Sequence, residues 1–107
     1  MSKQTPESNL MESLCEYLSV KGYFFIRVNN IPVYDTVRKF YRAMPKYSMK
    51  GVSDIILFHN GKGYCIEAKV KGNYQSPEQK DFQLLVEESG NIYILARSID
   101  DLINYGF

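Results

Sequence analysis

The sequence predicts an α/β sandwich built on a mixed central sheet, and three features carry that expectation. Two segments begin with helix-start signals, Thr5-Pro6-Glu7 and Ser76-Pro77-Glu78-Gln79. Two apolar runs flank Asn60-Gly61, the strongest short hairpin signal available. A further strand-like run, Asn91 to Ala96, follows the second helical segment directly.

Taken in order, Thr5 is the N-cap of a first helix, with Pro6 at its first position and Glu7 in its first turn. Leu10, Met11, Leu14, Cys15 and Leu18 recur at helical spacing, and Lys21-Gly22 closes the helix. Tyr23 to Val28 is a strand by its aromatic and β-branched content. Residues Asn29 to Gly51 read as irregular, broken by Pro32 and Pro45, with room for a short helix over Thr36 to Met44. Asp54 to Phe58 and Gly63 to Val70 form the hairpin strands. Ser76 and Gln79 make a capping box for a helix that runs to Ser89-Gly90. After the strand Asn91 to Ala96, Ser98 caps a last short helix ending near Tyr105. The order is α-β-β-β-α-β-α, without internal repeat or linker, so residues 1–107 are expected to form one domain.

Composition agrees with a folded domain. The 107 residues are 45% hydrophobic and 14% aromatic, with a net charge of +1, which argues against disorder. The core is small, so a second copy or a bound metal could contribute to stability. No apolar run approaches the ~20 residues that span a bilayer, and no signal-like stretch follows Met1-Ser2-Lys3-Gln4. Cys15 and Cys65 are isolated and fit neither a disulfide framework nor a zinc site. A soluble, cytoplasmic protein is the expectation.

The small net charge conceals an asymmetry. Residues 31–71 carry Arg38, Lys39, Arg42, Lys46, Lys50, Lys62, Lys69 and Lys71 against Asp35, Asp54 and Glu67. Residues 72–107 reverse the balance, with Lys80 and Arg97 against six acids. Between Arg38 and Lys50 no anion interrupts the cations, and Phe40, Tyr41 and Tyr47 lie among them. Cations mixed with aromatics suit a polyanion with stackable bases, although a solvated charged loop gives the same pattern. Arg38, Lys39, Arg42, Lys46, Lys50 and Lys71 are the candidate DNA contacts.

The hairpin carries the chemistry. A two-residue Asn60-Gly61 turn pairs His59 with Lys62, Leu57 with Tyr64 and Ile55 with Ile66, which sets Asp54 opposite Glu67. Lys69 points to the same face, and so do Ile56, Phe58 and Cys65, which read as core. Ile55, Leu57, Tyr64 and Ile66 occupy the other face, so both faces need cover. Two carboxylates held close resist ionising together unless a cation lies between them. A hard divalent ion resolves that conflict, and Mg²⁺ suits a site that keeps waters and meets a phosphate. The plain alternative is a structural ion pair of Lys69 with Asp54 or Glu67. Two further polar residues break the apolar pattern. Glu7 lies at the centre of the buried face of the first helix, and Gln79 shares a face with Phe82 and Val86 on the second. Each also has a local explanation, the helix dipole for Glu7 and the capping box for Gln79.

The run Gly51-Val52-Ser53-Asp54, then Glu67-Ala68-Lys69, then Ser76-Pro77-Glu78-Gln79-Lys80, preceded by Glu7 on a helix, resembles the VRR-NUC family. That family belongs to the PD-(D/E)XK nuclease superfamily, and the likeness is to its stand-alone, virus-type branch over nearly the whole chain. It implies a restriction-endonuclease-like αβββαβα sandwich and a metal-dependent endodeoxyribonuclease. In such nucleases Asp54 and Glu67 would bind Mg²⁺ or Mn²⁺ with the backbone carbonyl of Ala68. Lys69 would orient or deprotonate the attacking water, Glu7 would complete the metal shell directly or through water, and Gln79 would support the site. The reaction would be in-line phosphodiester hydrolysis leaving a 5′-phosphate and a 3′-hydroxyl. The likeness extends to Holliday-junction resolvases, which act as two-fold dimers, and to a host-cell cytoplasm if the chain is phage-encoded. One departure is visible: the family's proline before the aspartate is Ser53 here.

Other candidates are weaker. Cys15, Cys65 and His59 have no spacing that would join them at a metal, and His59 falls on the face away from Asp54. Gly61-Lys62-Gly63 lacks the rest of a phosphate loop. Arg27 and Asn29 admit either a phosphate contact or a structural role. Two other functions compete with a nuclease. One is a non-catalytic nucleic-acid-binding module on the same fold, which has no need of a desolvated carboxylate pair. The other is a protein-interaction domain docking through its basic middle and acidic end. For a dimer, the face opposite Asp54 is the expected contact surface, with Tyr64, Tyr105 and Phe107 as apolar candidates.

Overall fold

The structure, a computed structural model, describes residues 5–28, 34–35, 40–41 and 46–107. Helix α1 spans Pro6–Val20, strand β1 Phe24–Arg27, β2 Tyr34–Asp35, β3 Phe40–Tyr41, β4 Ile55–His59 and β5 Lys62–Ala68. Helix α2 follows at Pro77–Glu88, then strand β6 at Ile92–Ala96 and helix α3 at Ile99–Asn104. The main sheet has four strands in the order β1-β4-β5-β6. Neighbours β1/β4 and β4/β5 are antiparallel, whereas β5/β6 is parallel. The sheet is therefore mixed, and α2 is the crossover that its parallel pair requires.

Local chemistry accounts for each boundary. The Thr5 side chain accepts the Ser8 amide at 3.0 Å and Pro6 occupies the first turn, so α1 starts where the sequence predicts. Ser76 and Gln79 form the reciprocal capping box of α2. Asn60 at φ 51° and Gly61 at φ 77° give the left-handed pair that a type I′ hairpin needs. The resulting register pairs Ile55 with Ile66, Leu57 with Tyr64 and His59 with Lys62, as the turn arithmetic predicts.

Three local expectations are corrected. Ser98 occupies the N-cap position of α3 without a side-chain bond; Asp101 reaches back instead and accepts the Arg97 amide at 2.8 Å. The expected short helix over Thr36 to Met44 is interrupted, because Phe40–Tyr41 is strand and pairs with Tyr34–Asp35. Aromatic residues favour extended pairing, and Pro45 disfavours helix before it. The remaining residues of that stretch, Arg38, Lys39 and Arg42 among them, lie outside the described residues. Strand β5 stops at Ala68 rather than Val70, although the Lys69 amide still donates to Ala96 at 3.0 Å.

One sheet face is well covered. Met11, Leu14 and Leu18 of α1 and Leu102 of α3 pack with Ile55, Leu57, Ile66, Ile94 and Phe107 in a single buried cluster. The other face carries a smaller cluster under α2, of Cys65, Val86 and Tyr93 with Ile56 and Phe82 against it. Helix α2 packs beside β6, and on that side Ile56 of β4 is partly buried against its cluster while the outer positions of β1 and β4 stay exposed. Phe58, expected in the core, is 48% exposed there, beside Phe24 at 65% and Ile26 at 47%. Phe24 and Phe58 stack with centroids 5.6 Å apart. Of the apolar candidates for a dimer face, Tyr105 is 52% exposed and Tyr64 half-buried, whereas Phe107 is buried and stands edge-on to Tyr23, Tyr64 and His59.

The loop before β4 docks on the first turn of α2. At Gly51 (φ +81°) a Cβ would lie 2.4 Å from the Glu78 carbonyl group, whereas at Gly61 it would meet nothing within 4 Å. Gly61→Ala should therefore cost only the left-handed penalty, about 1–2 kcal/mol. Gly51→Ala adds a backbone overlap of about 1–3 kcal/mol, and urea unfolding should separate the two variants in that order. Equal midpoints would show that the loop is not docked on α2.

Candidate active site

The end of the β4–β5 hairpin gathers the predicted polar residues. Asp54 precedes the first residue of β4, and two hydrogen bonds fix it there. Its carbonyl accepts the Val28 amide at 2.8 Å, and its Oδ2 accepts the Ala68 amide at 2.8 Å. Ser53 before it is 1% exposed and donates its hydroxyl to the Ile55 carbonyl at 3.2 Å. Ser53 thus pins the strand start by a hydrogen bond.

Glu67 is 2% exposed, and its Oε1 is buried without a hydrogen-bond partner. Burial pushes its carboxyl up to about 9, helped by hydrogen bonding with the Asp54 carboxyl and by the negative charges of Asp54 and Glu7. The Lys69 ammonium opposes that shift. Lys69 is half-buried, and among the described residues it forms no salt bridge within 4.0 Å. The simple ion pair with Asp54 or Glu67 is therefore not what occupies these side chains.

Glu7 continues the line of Met11, Leu14 and Leu18 down α1, yet it is exposed. It lines an open cavity of about 230 Å³ with Thr5, Ser8, Met11, Arg27, Asp54 and Ala68. Its charge is felt at Glu67, but no three Asp, Glu, His or Cys side chains among the described residues converge as a ready cage for a metal. Gln79 is committed to the capping box: its Oε1 accepts the Ser76 amide at 2.9 Å. The structure shows no hydrogen bond from Gln79 to the carboxylate pair, which leaves only its amide nitrogen for a supporting role.

The pair itself fits a hard cation. Two carboxyls share one site, one has an orphaned oxygen, and Asp54 retains Oδ1 beyond the bond to Ala68. On the α2 side, Tyr93 is buried near both carboxyls, and its hydroxyl accepts from Gln75 Nε2 at 3.2 Å. Burial pushes Tyr93 up to about 12, so its phenol stays protonated. Of the basic candidates, Lys46, Lys50 and Lys71 are exposed. Lys46 lies 5.3 Å from the ring centroid of Tyr47, which is 92% exposed and adopts φ 70°. His59 packs between Tyr23 and Phe107, away from the site.

Two participants were under-read from sequence. Arg27 shares the cavity of Glu7 and Asp54, which its place on a short strand does not reveal. Gly51 belonged to the motif without a role, and only the approach of α2 supplies one. With the site in view, comparison with known proteins adds nothing: no family model, no curated protein and no solved structure matches the chain.

The charge state of Glu67 links stability to pH. Between its ordinary value of 4.5 and about 9, the folded chain holds a proton that the unfolded chain has released. Unfolding free energy should therefore fall as pH rises through that window. Glu67→Gln should flatten this fall and raise the melting temperature at pH 8 in metal-free buffer. Parallel pH profiles of wild type and variant would show that the carboxyl is not buried in solution.

Proposed function

We propose that this chain is a divalent-metal-dependent DNA endonuclease with a restriction-endonuclease-like fold of the VRR-NUC kind. The observation that carries the reading is Glu67, a fully buried carboxyl with one unpartnered oxygen, facing Asp54 beside an unbridged Lys69. Such an arrangement costs stability and does nothing for packing, which is the signature of a group retained for chemistry. A solvated charge cluster or a passive binding surface needs none of it.

In this reading Asp54, Glu67 and the Ala68 carbonyl hold Mg²⁺ or Mn²⁺, with Glu7 acting through water. A divalent ion held there would supply Lewis-acid polarisation of a phosphoryl oxygen. Lys69 sits where an ammonium can position the attacking water and balance charge developing on the phosphate. Gln79 steadies the mouth of the site from α2. Lys46, Lys50 and Lys71 contact backbone phosphates, with Arg38, Lys39 and Arg42 extending the same basic stretch. Tyr47 offers a face on which a base can stack.

The test is cleavage of linear, flap and four-way-junction DNA with Mg²⁺, Mn²⁺ or EDTA. Asp54→Asn, Glu67→Gln and Lys69→Ala should each reduce cleavage at least about 100-fold while keeping the fold and most DNA affinity. Full activity of Glu67→Gln at saturating Mg²⁺ would remove the metal assignment. DNA binding by the wild type without any cleavage would favour a non-catalytic module.

A branched substrate with two-fold symmetry asks for two sites related by a two-fold axis. We assign the dimer contact to the exposed Phe24, Ile26 and Phe58 of the β1–β4 face, where each aromatic ring can remove about 150–250 Å² from water. Light scattering should give about twice 12.4 kDa for the wild type and 12.4 kDa for Phe58→Glu. A wild-type monomer at micromolar concentration would refute the assignment.

A further inference from the structure

We infer that Arg27 grips the phosphate on which the carboxylate pair acts, an inference that rests on the nuclease reading and gives it a substrate contact. Arg27 is the last residue of β1 and pairs with Ile55, the residue after Asp54. The bond from the Val28 amide to the Asp54 carbonyl, 2.8 Å, holds the two chain segments side by side at that point. Alternation along β1 sends Arg27 to the α1 side of the sheet, together with Ile55 and Ala68. It therefore lines the same cavity as Asp54, Glu7 and the Ala68 backbone.

A guanidinium beside two carboxylates would ordinarily pair with one of them. The Arg27 side chain makes neither a salt bridge nor a hydrogen bond among the described residues, and Asp54 spends Oδ2 on the Ala68 amide instead. Among the described residues, the five N–H donors of the Arg27 guanidinium thus meet no protein acceptor at this open cavity. The cavity, about 230 Å³, is several times the ~30 Å³ share of one liquid water, so it admits more than solvent bridges.

Chemistry selects the occupant. Asp54 and Glu7 repel an anion, so Arg27 alone gives the cavity no reason to hold one. With a divalent ion on the carboxylates the balance reverses, and a phosphate then meets cations from two directions. An arginine fork matches the two non-bridging oxygens of a phosphodiester, whereas a lysine would present a single point of charge. The position on a paired strand fixes the Cα of Arg27 relative to Asp54, which a residue on a loop could not do.

The experiment uses Arg27→Gln and Arg27→Lys in the full chain, with three readouts. Anisotropy of a labelled duplex in Ca²⁺, a divalent ion that loads the carboxylates, gives the salt dependence of binding, and one lost phosphate contact should lower the log–log slope by about 0.9. Calorimetric Mn²⁺ titration should give affinities within about twofold of wild type, because Arg27 does not touch the cation. Mn²⁺-dependent kcat/KM should fall about 100-fold in Arg27→Gln. Arg27→Lys should restore the slope but only part of the rate. An unchanged slope and rate in Arg27→Gln overturns the inference while the nuclease reading stands. Loss of Mn²⁺ affinity in Arg27→Gln also overturns it, since Arg27 would then be organising the carboxylates. A wild type that binds DNA yet never cleaves it removes the nuclease reading, and a lowered slope in Arg27→Gln still identifies a phosphate contact.

Discussion

The hydrogen bond from the Ala68 amide to Asp54 Oδ2, 2.8 Å long, keeps an aspartate that lies outside its strand facing a buried glutamate. The β4 ladder begins at Ile55, so without that bond Asp54 would be free to turn toward solvent. The Val28 amide on one side and Ala68 on the other hold it at the sheet end. The elevated Glu67 carboxyl follows from this constraint together with burial. So does the cavity on the α1 side, since Asp54 and Ala68 form part of its wall. Upstream, Ser53 and Gly51 serve the same end, one bonded to Ile55 and the other pressed on the first turn of α2.

Much of this was legible because it was local. A two-residue turn dictates register, so Asn60-Gly61 sufficed to pair Ile55 with Ile66, which brings the next residues outward, Asp54 and Glu67, to the same sheet end. Caps are read over four residues, so Thr5 and Ser76 marked their helices correctly. Ser98 makes no side-chain cap bond: the Asp101 amide donates to the Ser98 carbonyl at 3.2 Å, and the Asp101 carboxylate ties the turn down through the Arg97 amide. What depends on the placement of a whole element was not legible. The exposure of Phe58 follows from where α2 lies, and alternation cannot say which part of a face a helix reaches. The burial of Phe107 follows from α3 folding back, which sets its ring among Tyr23, His59 and Tyr64. For the same reason the proximity of Arg27 to Glu7 was hidden, since it requires α1 and β1 to meet at the sheet end.

The two faces of the sheet divide the work. Large aliphatic side chains fill the α1/α3 side, where the cluster runs from Met11 to Phe107 and the Tyr17 hydroxyl donates to the Phe107 carbonyl at 2.7 Å. The α2 side has a thinner core and carries a polar network instead, with Gln75 donating to Gln83 at 2.9 Å and to Tyr93 at 3.2 Å. Glu67 emerges on this thinner side, close enough to Tyr93 for its charge to be felt there. A buried carboxyl is easier to tolerate next to amides and a phenol than among leucines. The division also accounts for the exposure of Phe24, Ile26 and Phe58: the sheet has four strands, and the α2 cluster centres on β5 and β6 and reaches β4 only at Ile56.

The hairpin has a kinetic implication as well. Fourteen positions separate Asp54 from Ala68, and the turn between their strands is as short as hairpin turns become. Such an element closes in about 1–10 μs, ahead of pairings such as β1 with β4 that require longer loops. The two carboxyls are thus brought together early, before α1 or α2 can shield either of them. Their repulsion then weighs on the barrier to folding rather than on the finished structure alone. A proton or a divalent ion held between them would hasten the forward reaction, visible in the refolding limb of denaturant kinetics, in addition to slowing the escape from the native state.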